Sequence, residues 1–134
     1  MRLASRADVV QAVRNAKQSA RAVIFVHVDW STDPYFVGPT FMEFCEAYNS
    51  IRGLPAIGFH YIDCTSVTDG YLPLRNLDGW KELESKEGGG SLIHGRGEVA
   101  WLNHGRAVAV ERINYDATPA DLLRQTLSTF EGGT

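Results

Sequence analysis

Ala22-Val23-Ile24-Phe25-Val26-His27-Val28-Asp29, followed at once by Trp30-Ser31-Thr32-Asp33-Pro34, is the stretch that decides the fold. Its first eight residues are rich in β-branched side chains and almost without a polar interruption. That is the pattern of a strand covered on both faces of a sheet, and such a strand is central. A second run of the same kind, Ala56-Ile57-Gly58-Phe59-His60-Tyr61-Ile62-Asp63, follows about 30 residues later. Between them Pro39 suits the first turn of a helix, and Phe41, Phe44, Cys45 and Tyr48 fall at i, i+3, i+4 and i+7. Strand, helix, strand at this spacing predicts a right-handed parallel crossover.

Upstream, Ser5 and Asp8 have capping spacing, and Val9, Val10, Ala12, Val13 and Ala16 form one apolar stripe, so a helix opens the chain. Downstream, Leu72, Leu74, Leu77, Trp80 and Leu83 are loosely helical, with Pro73 and Gly79 interrupting, and Gly88-Gly89-Gly90 marks a loop. Residues 98–102 and 106–113 flank an Asn103-His104-Gly105 turn and read as an antiparallel hairpin. Thr118 as N-cap, Pro119 at the first helical position and Asp121 in the first turn begin a last helix with Leu122, Leu123, Leu127 and Phe130 inward.

The 134 residues read as one domain, 44% hydrophobic and 22% charged, the balance of an ordinary globule. A net charge of -3 with scattered basic residues argues against nucleic-acid and membrane partners, which demand clustered Lys and Arg. The N-terminus lacks the basic-then-apolar order of a signal peptide, and no apolar run reaches the roughly 20 residues of a membrane span. Two cysteines, Cys45 and Cys64, are too few for a disulfide scaffold and too far apart for a metal-ligand pair, so a cytoplasmic, reducing setting is expected, with no cofactor and no metal.

The order α, β, α, β, α, β, β, α resembles the thioredoxin-like family over nearly the whole chain. The resemblance implies an α/β thioredoxin-like fold, a central mixed sheet of four to five strands with helices on both faces. Its local anchor is Trp30, which stands where thioredoxins place a Trp before their first active-site Cys, with Pro39 at the helix-kinking proline eight residues beyond Ser31. In that register Ser31 takes the nucleophile's place and Pro34 the resolving thiol's, so the Cys-x-x-Cys pair is missing. A hydroxyl and an imide cannot perform thiolate exchange. The resemblance puts Phe25 at the family's buried Asp, Phe59 at its Lys and Gly97 on or near its cis-proline. An apolar pair then replaces an ionisable one, which suits a site relieved of proton transfer because an unpaired buried charge is costly.

Trp30, Tyr35 and Phe36 gather with Pro34, Gly38 and Pro39 in what reads as a loop, where three large aromatics suit a contact surface. The expected function is therefore a redox-inactive domain that binds a protein or peptide, or a second copy of itself, through Trp30, Ser31, Asp33, Pro34, Tyr35, Phe36 and the strand edge at Gly97, with no catalytic residues. The alternative is a one-cysteine thiol enzyme or redox sensor using Cys64. Neighbouring Asp63 would raise that thiol's pKa, which favours an inert Cys64. Cys45 reads as core. His27 and His60 lie on adjacent strands and are expected to form a structural or pH-sensitive contact, and His104 to be exposed. Ser31 or an aspartate is expected to cap the start of the second helix, with Asp29 and Asp33 read as loop and cap residues there. The run His94-Gly95-Arg96-Gly97-Glu98 precedes a strand rather than a helix, so it is read as a flexible turn and not a phosphate loop.

Overall fold

The computed structural model describes residues 5–67 and 71–132, so the segment Met1 to Ala4, part of the stretch read for a targeting signal, lies outside the described residues. Helix α1 (Arg6–Gln18) leads into β1 (Arg21–His27), α2 (Asp33–Ser50) and β2 (Gly58–Asp63). Two short helices, α3 (Leu72–Arg75) and α4 (Trp80–Lys86), precede β3 (Glu98–Asn103), β4 (Arg106–Arg112) and α5 (Pro119–Gly132). The four strands form one mixed sheet in the order β2-β1-β3-β4, with β1 parallel to β2 and antiparallel to β3. This is the α/β thioredoxin-like architecture expected from the order of elements.

Strand parity builds the two halves of the core. Ala22, Ile24, Val26 and Val28 point to one face and pack with Val9 and Val13 of α1, Leu74 of α3 and Trp80 of α4. Val23 and Phe25 point to the other and pack with Phe41 and Phe44 of α2, Trp101 of β3 and Leu122 of α5. Both faces of β1 are thus dry, as its unbroken apolar run requires. Ser5 and Asp8 make a reciprocal capping box at α1, and Thr118 and Asp121 exchange the same two bonds before α5. His104 and Gly105 both have positive φ, the geometry of a type I′ turn whose twist matches the strands, and His104 is exposed.

Several boundaries differ from expectation. Helix α2 begins at Asp33, with Pro34 in its first turn and Pro39 inside it, so Tyr35 and Phe36 are helical rather than looped. Either proline is compatible with an early helical position, and the chain uses the first of them. Thr32 stands at the N-cap and makes no side-chain capping bond, neither Ser31 nor Asp29 occupies the cap position, and Asp33 belongs to the helix's first turn. The stretch from Tyr71 to Lys86 is two helices rather than one. It breaks at Gly79, whose φ of +83° only glycine adopts easily and where a Cβ would meet the Ala107 carbonyl oxygen of β4 at 2.5 Å.

Candidate functional site

The C-terminal end of β1, the first turns of α2, the end of β2 and two loops, 91–97 and 113–118, converge on one edge of the sheet. Trp30 lies in the loop before α2 and is 62% exposed, and Tyr35 and Phe36 in its first turns are 57% and 67% exposed. Tyr115, from the loop after β4, is 64% exposed, and its ring lies 5.5 Å from that of Phe36. Tyr61 of β2, 46% exposed, completes the group. Burying such rings against solvent-free surface is worth several kcal/mol, on the order of 1.5–3 kcal/mol for each large apolar side chain. Their common exposure is therefore a costly surface feature.

Beneath the rings runs a hydrogen-bonded chain. His27 is 8% exposed, and its Nε2 lies 2.6 Å from Asp29 Oδ1. A carboxylate only accepts, so Nε2 carries the hydrogen, and Nδ1 lies within hydrogen-bond distance of the Tyr61 hydroxyl at 2.9 Å. The Tyr35 hydroxyl donates to the same Asp29 oxygen at 2.8 Å, and its ring meets His27 edge-on at 5.0 Å. Tyr115 donates likewise to Asp33 Oδ1. Hydrogen bonds from His27 first, and then from Tyr35, hold the Asp29 carboxyl below its ordinary value. The bond to Asp29 pushes Tyr35 up, the bond to Asp33 pushes Tyr115 up, and burial pushes Tyr61 up. The three phenols therefore keep their protons at neutral pH, and Asp29 is held in its charged form.

The expected residues divide on inspection. Trp30, Tyr35 and Phe36 share the exposed edge, Asp33 joins them half-buried through Tyr115, and Ser31 is half-buried close by. Pro34 is a buried residue of the first turn of α2 and is not part of the exposed surface. Gly97 is buried as well, and its carbonyl accepts the Ile113 amide at 3.0 Å, so its carbonyl is already used within the fold. The described residues contain no cis peptide bond. Gly97 has a φ of +83°, and a Cβ there would collide with Val37 Cγ2 of α2.

Phe25 is fully buried, but its partner across the strands is Tyr61, stacked at 4.9 Å, while Phe59 lies opposite Val23 and packs with Phe44 and Tyr48. The apolar pair inferred at the family's Asp and Lys positions is therefore not a contact pair. His60 sits opposite Ile24 and faces away from His27, so the expected histidine contact is not made; burial lowers the His60 pKa, and its Nε2 has no partner among the described residues. Both nitrogens of His27 are occupied by Asp29 and Tyr61, which leaves none to activate Ser31.

The glycine-containing run before β3 has an internal organiser. The Glu98 carboxylate, 2% exposed, accepts the His94 and Arg96 amides at 3.0 and 3.2 Å. An anion of the chain itself fills that turn. Trp30 rests with one edge over Gly95, where a side chain would strike the indole. Cys64, 1% exposed just beyond β2, has its thiol pushed up to about 12 by burial and then by Asp63, and burial does the same to Cys45 on α2. Neither forms a disulfide. Among the described residues no group of three or more His, Cys, Asp or Glu is placed to hold a metal ion, and no helix is long and apolar enough to cross a membrane.

Tyr61, Tyr115 and the His27–Asp29 bond were not singled out from the sequence. One signal was available: Phe25, His27 and Asp29 alternate, so a strand puts all three on the α2 side.

The sheet order and the two helical layers together define a thioredoxin-like fold. No family model matches the sequence, and no curated protein does. Solved structures do match. Desulfothioredoxin from Desulfovibrio vulgaris Hildenborough, in its reduced form, is similar at a TM-score of 0.54 and 13% identity, over 87% of this chain and 88% of that one. Yeast mitochondrial 1-Cys peroxiredoxin is similar at 0.53 and 11%, over 94% of each chain. At such identities the likeness is one of fold.

Proposed function

We propose that this chain is a redox-inactive thioredoxin-like domain of the cytoplasm that recognises a protein or peptide through the edge carrying Trp30, Tyr35, Phe36 and Tyr115. The observation that carries the reading is that these four rings are each more than half exposed and come from the loop before α2, its first turns and the loop after β4, the region where the resemblance puts the family's thiol pair. Exposed aromatics on a rigid scaffold dominate interface energetics. Ser31 and Pro34 supply no thiol, and the two cysteines that exist are buried with raised pKa values, so the reading with Cys64 as a reactive thiol has little support.

Two measurements test it. The wild-type chain should not accelerate the reduction of insulin disulfides by dithiothreitol; a rate above the uncatalysed one overturns the redox-inactive part. Display selection from random short peptides should enrich binders on the wild type and lose them on the Trp30→Ala/Phe36→Ala variant. Equal enrichment on both overturns the choice of edge.

A further inference from the structure

We infer that the partner engaged by this edge is a basic peptide segment, whose Lys or Arg side chains lie over the exposed rings against Asp29 and Asp33. The inference rests on the recognition reading above and adds the chemistry of the occupant. From Ala22 to Ile51 the chain carries Asp29, Asp33, Glu43 and Glu46 with no Lys or Arg, and from Gly53 to Leu74 it carries Asp63 and Asp69, again with neither. These two stretches hold β1 after its first residue Arg21, the loop that carries Trp30, α2 and β2, and so supply Trp30, Tyr35, Phe36 and Tyr61. Four of the five rings thus come from sequence without any cation.

The geometry adds detail. Tyr35 and Tyr115 each donate the phenolic hydrogen to a carboxylate, Asp29 and Asp33 respectively, so both hydroxyls are satisfied within the chain. What remains for a partner at each pair is the ring face and the carboxylate's outer lone pairs. Both are attractive to a cation, the first through the ring quadrupole and the second through charge. No Lys or Arg forms an ion pair with Asp29 or Asp33 among the described residues. An open cleft of about 560 Å³ adjoins the rings, walled by Asp33, Tyr115 and Asp116 and also by Arg96 of the loop before β3 and Arg112 at the end of β4. Arg112 is turned toward Asn114, to which its Nε donates. The cleft thus carries both signs, cations on Arg96 and Arg112 and the aromatic-acidic group on Asp33, Tyr115 and Asp116, and the two predict opposite partners: a basic one on the rings, an acidic one on the arginines. The exposed rings choose the first, because the apolar area lies there.

Peptide display against the whole chain reads the composition of what is bound. The wild type should enrich Lys and Arg about two- to fivefold over the unselected library. Asp29→Asn/Asp33→Asn should return that enrichment to the library level while still selecting aromatic or apolar peptides, and Asp33→Asn alone should lower it without touching the His27 bond. High salt should weaken binding of the selected peptides. Enrichment without a basic bias, or with an acidic bias abolished by Arg96→Gln/Arg112→Gln, overturns this inference and leaves the recognition reading standing. No enrichment at all overturns both.

Discussion

Replacing Gly97 by Ala adds a single Cβ at the point where the loop before β3 presses on α2. The backbone there has a φ of +83°, which costs an L-residue about 1–2 kcal/mol. The new carbon would also overlap Val37 Cγ2, a side chain 2% exposed, with Phe25 Cζ only 3.6 Å away on the other side. Because both neighbours are buried, relief requires moving α2 or the loop, and overpacking of this kind costs about 1–3 kcal/mol. The sum, about 2–5 kcal/mol, is a large share of the roughly 5–15 kcal/mol that holds a domain folded. Val37→Ala on its own should lose about 2 kcal/mol through its buried methyl groups. Combined with Gly97→Ala it also removes the collision, so the double variant should be less destabilised than the two singles added, by about 1–3 kcal/mol. Urea unfolding followed by circular dichroism measures all four proteins. A Gly97→Ala variant within about 0.5 kcal/mol of wild type, or strict additivity, would refute the close approach as the reason for glycine.

Three further outcomes follow from the same geometry. Trp101 Nε1 donates to Thr126 Oγ1 at 3.0 Å with both residues buried, so Trp101→Phe should cost about 1–3 kcal/mol, and adding Thr126→Val should recover part of the loss by removing the stranded hydroxyl; no recovery in urea melts counts against the bond. Asp29 is held below the ordinary 3.8, so its contribution to stability is present above that pH and is lost as pH falls through the lower folded value; carboxyl NMR should place its midpoint below 3.8, and His27→Phe should raise it. Cys45 and Cys64 should react with iodoacetamide at neutral pH far more slowly than in denaturant, and equal rates would contradict their burial.

The parts of the fold that could be read from the sequence are those where one local rule acts alone. The unbroken apolar run of β1, the Ser5–Asp8 and Thr118–Asp121 caps and the His104–Gly105 turn each carry their cause within a few residues. The start of α2 could not be read so, because Pro34 and Pro39 satisfy the same rule and packing decides between them. The site was legible in Trp30, Tyr35 and Phe36 and illegible in Tyr61, Tyr115 and the polar chain beneath them. Tyr61 meets His27 only through the β1–β2 register, and Tyr115 reaches Asp33 across 82 residues of sequence, so no spacing announces either. Placing Phe25 against Phe59 failed for the same reason: position along two strands does not give the register between them, and the strand pairing sets Tyr61 there instead.

Backbone amide NMR of the whole chain, titrated with a peptide selected on it, tests the recognition edge most directly. The account predicts shifts concentrated in residues 29–38, at Tyr61 and in the loops 94–97 and 113–116, with Trp30 Nε1 moving among the first. Shifts centred elsewhere, such as on the apolar cleft between Tyr48, Leu54 and Phe130 at the opposite end of β1, would contradict it.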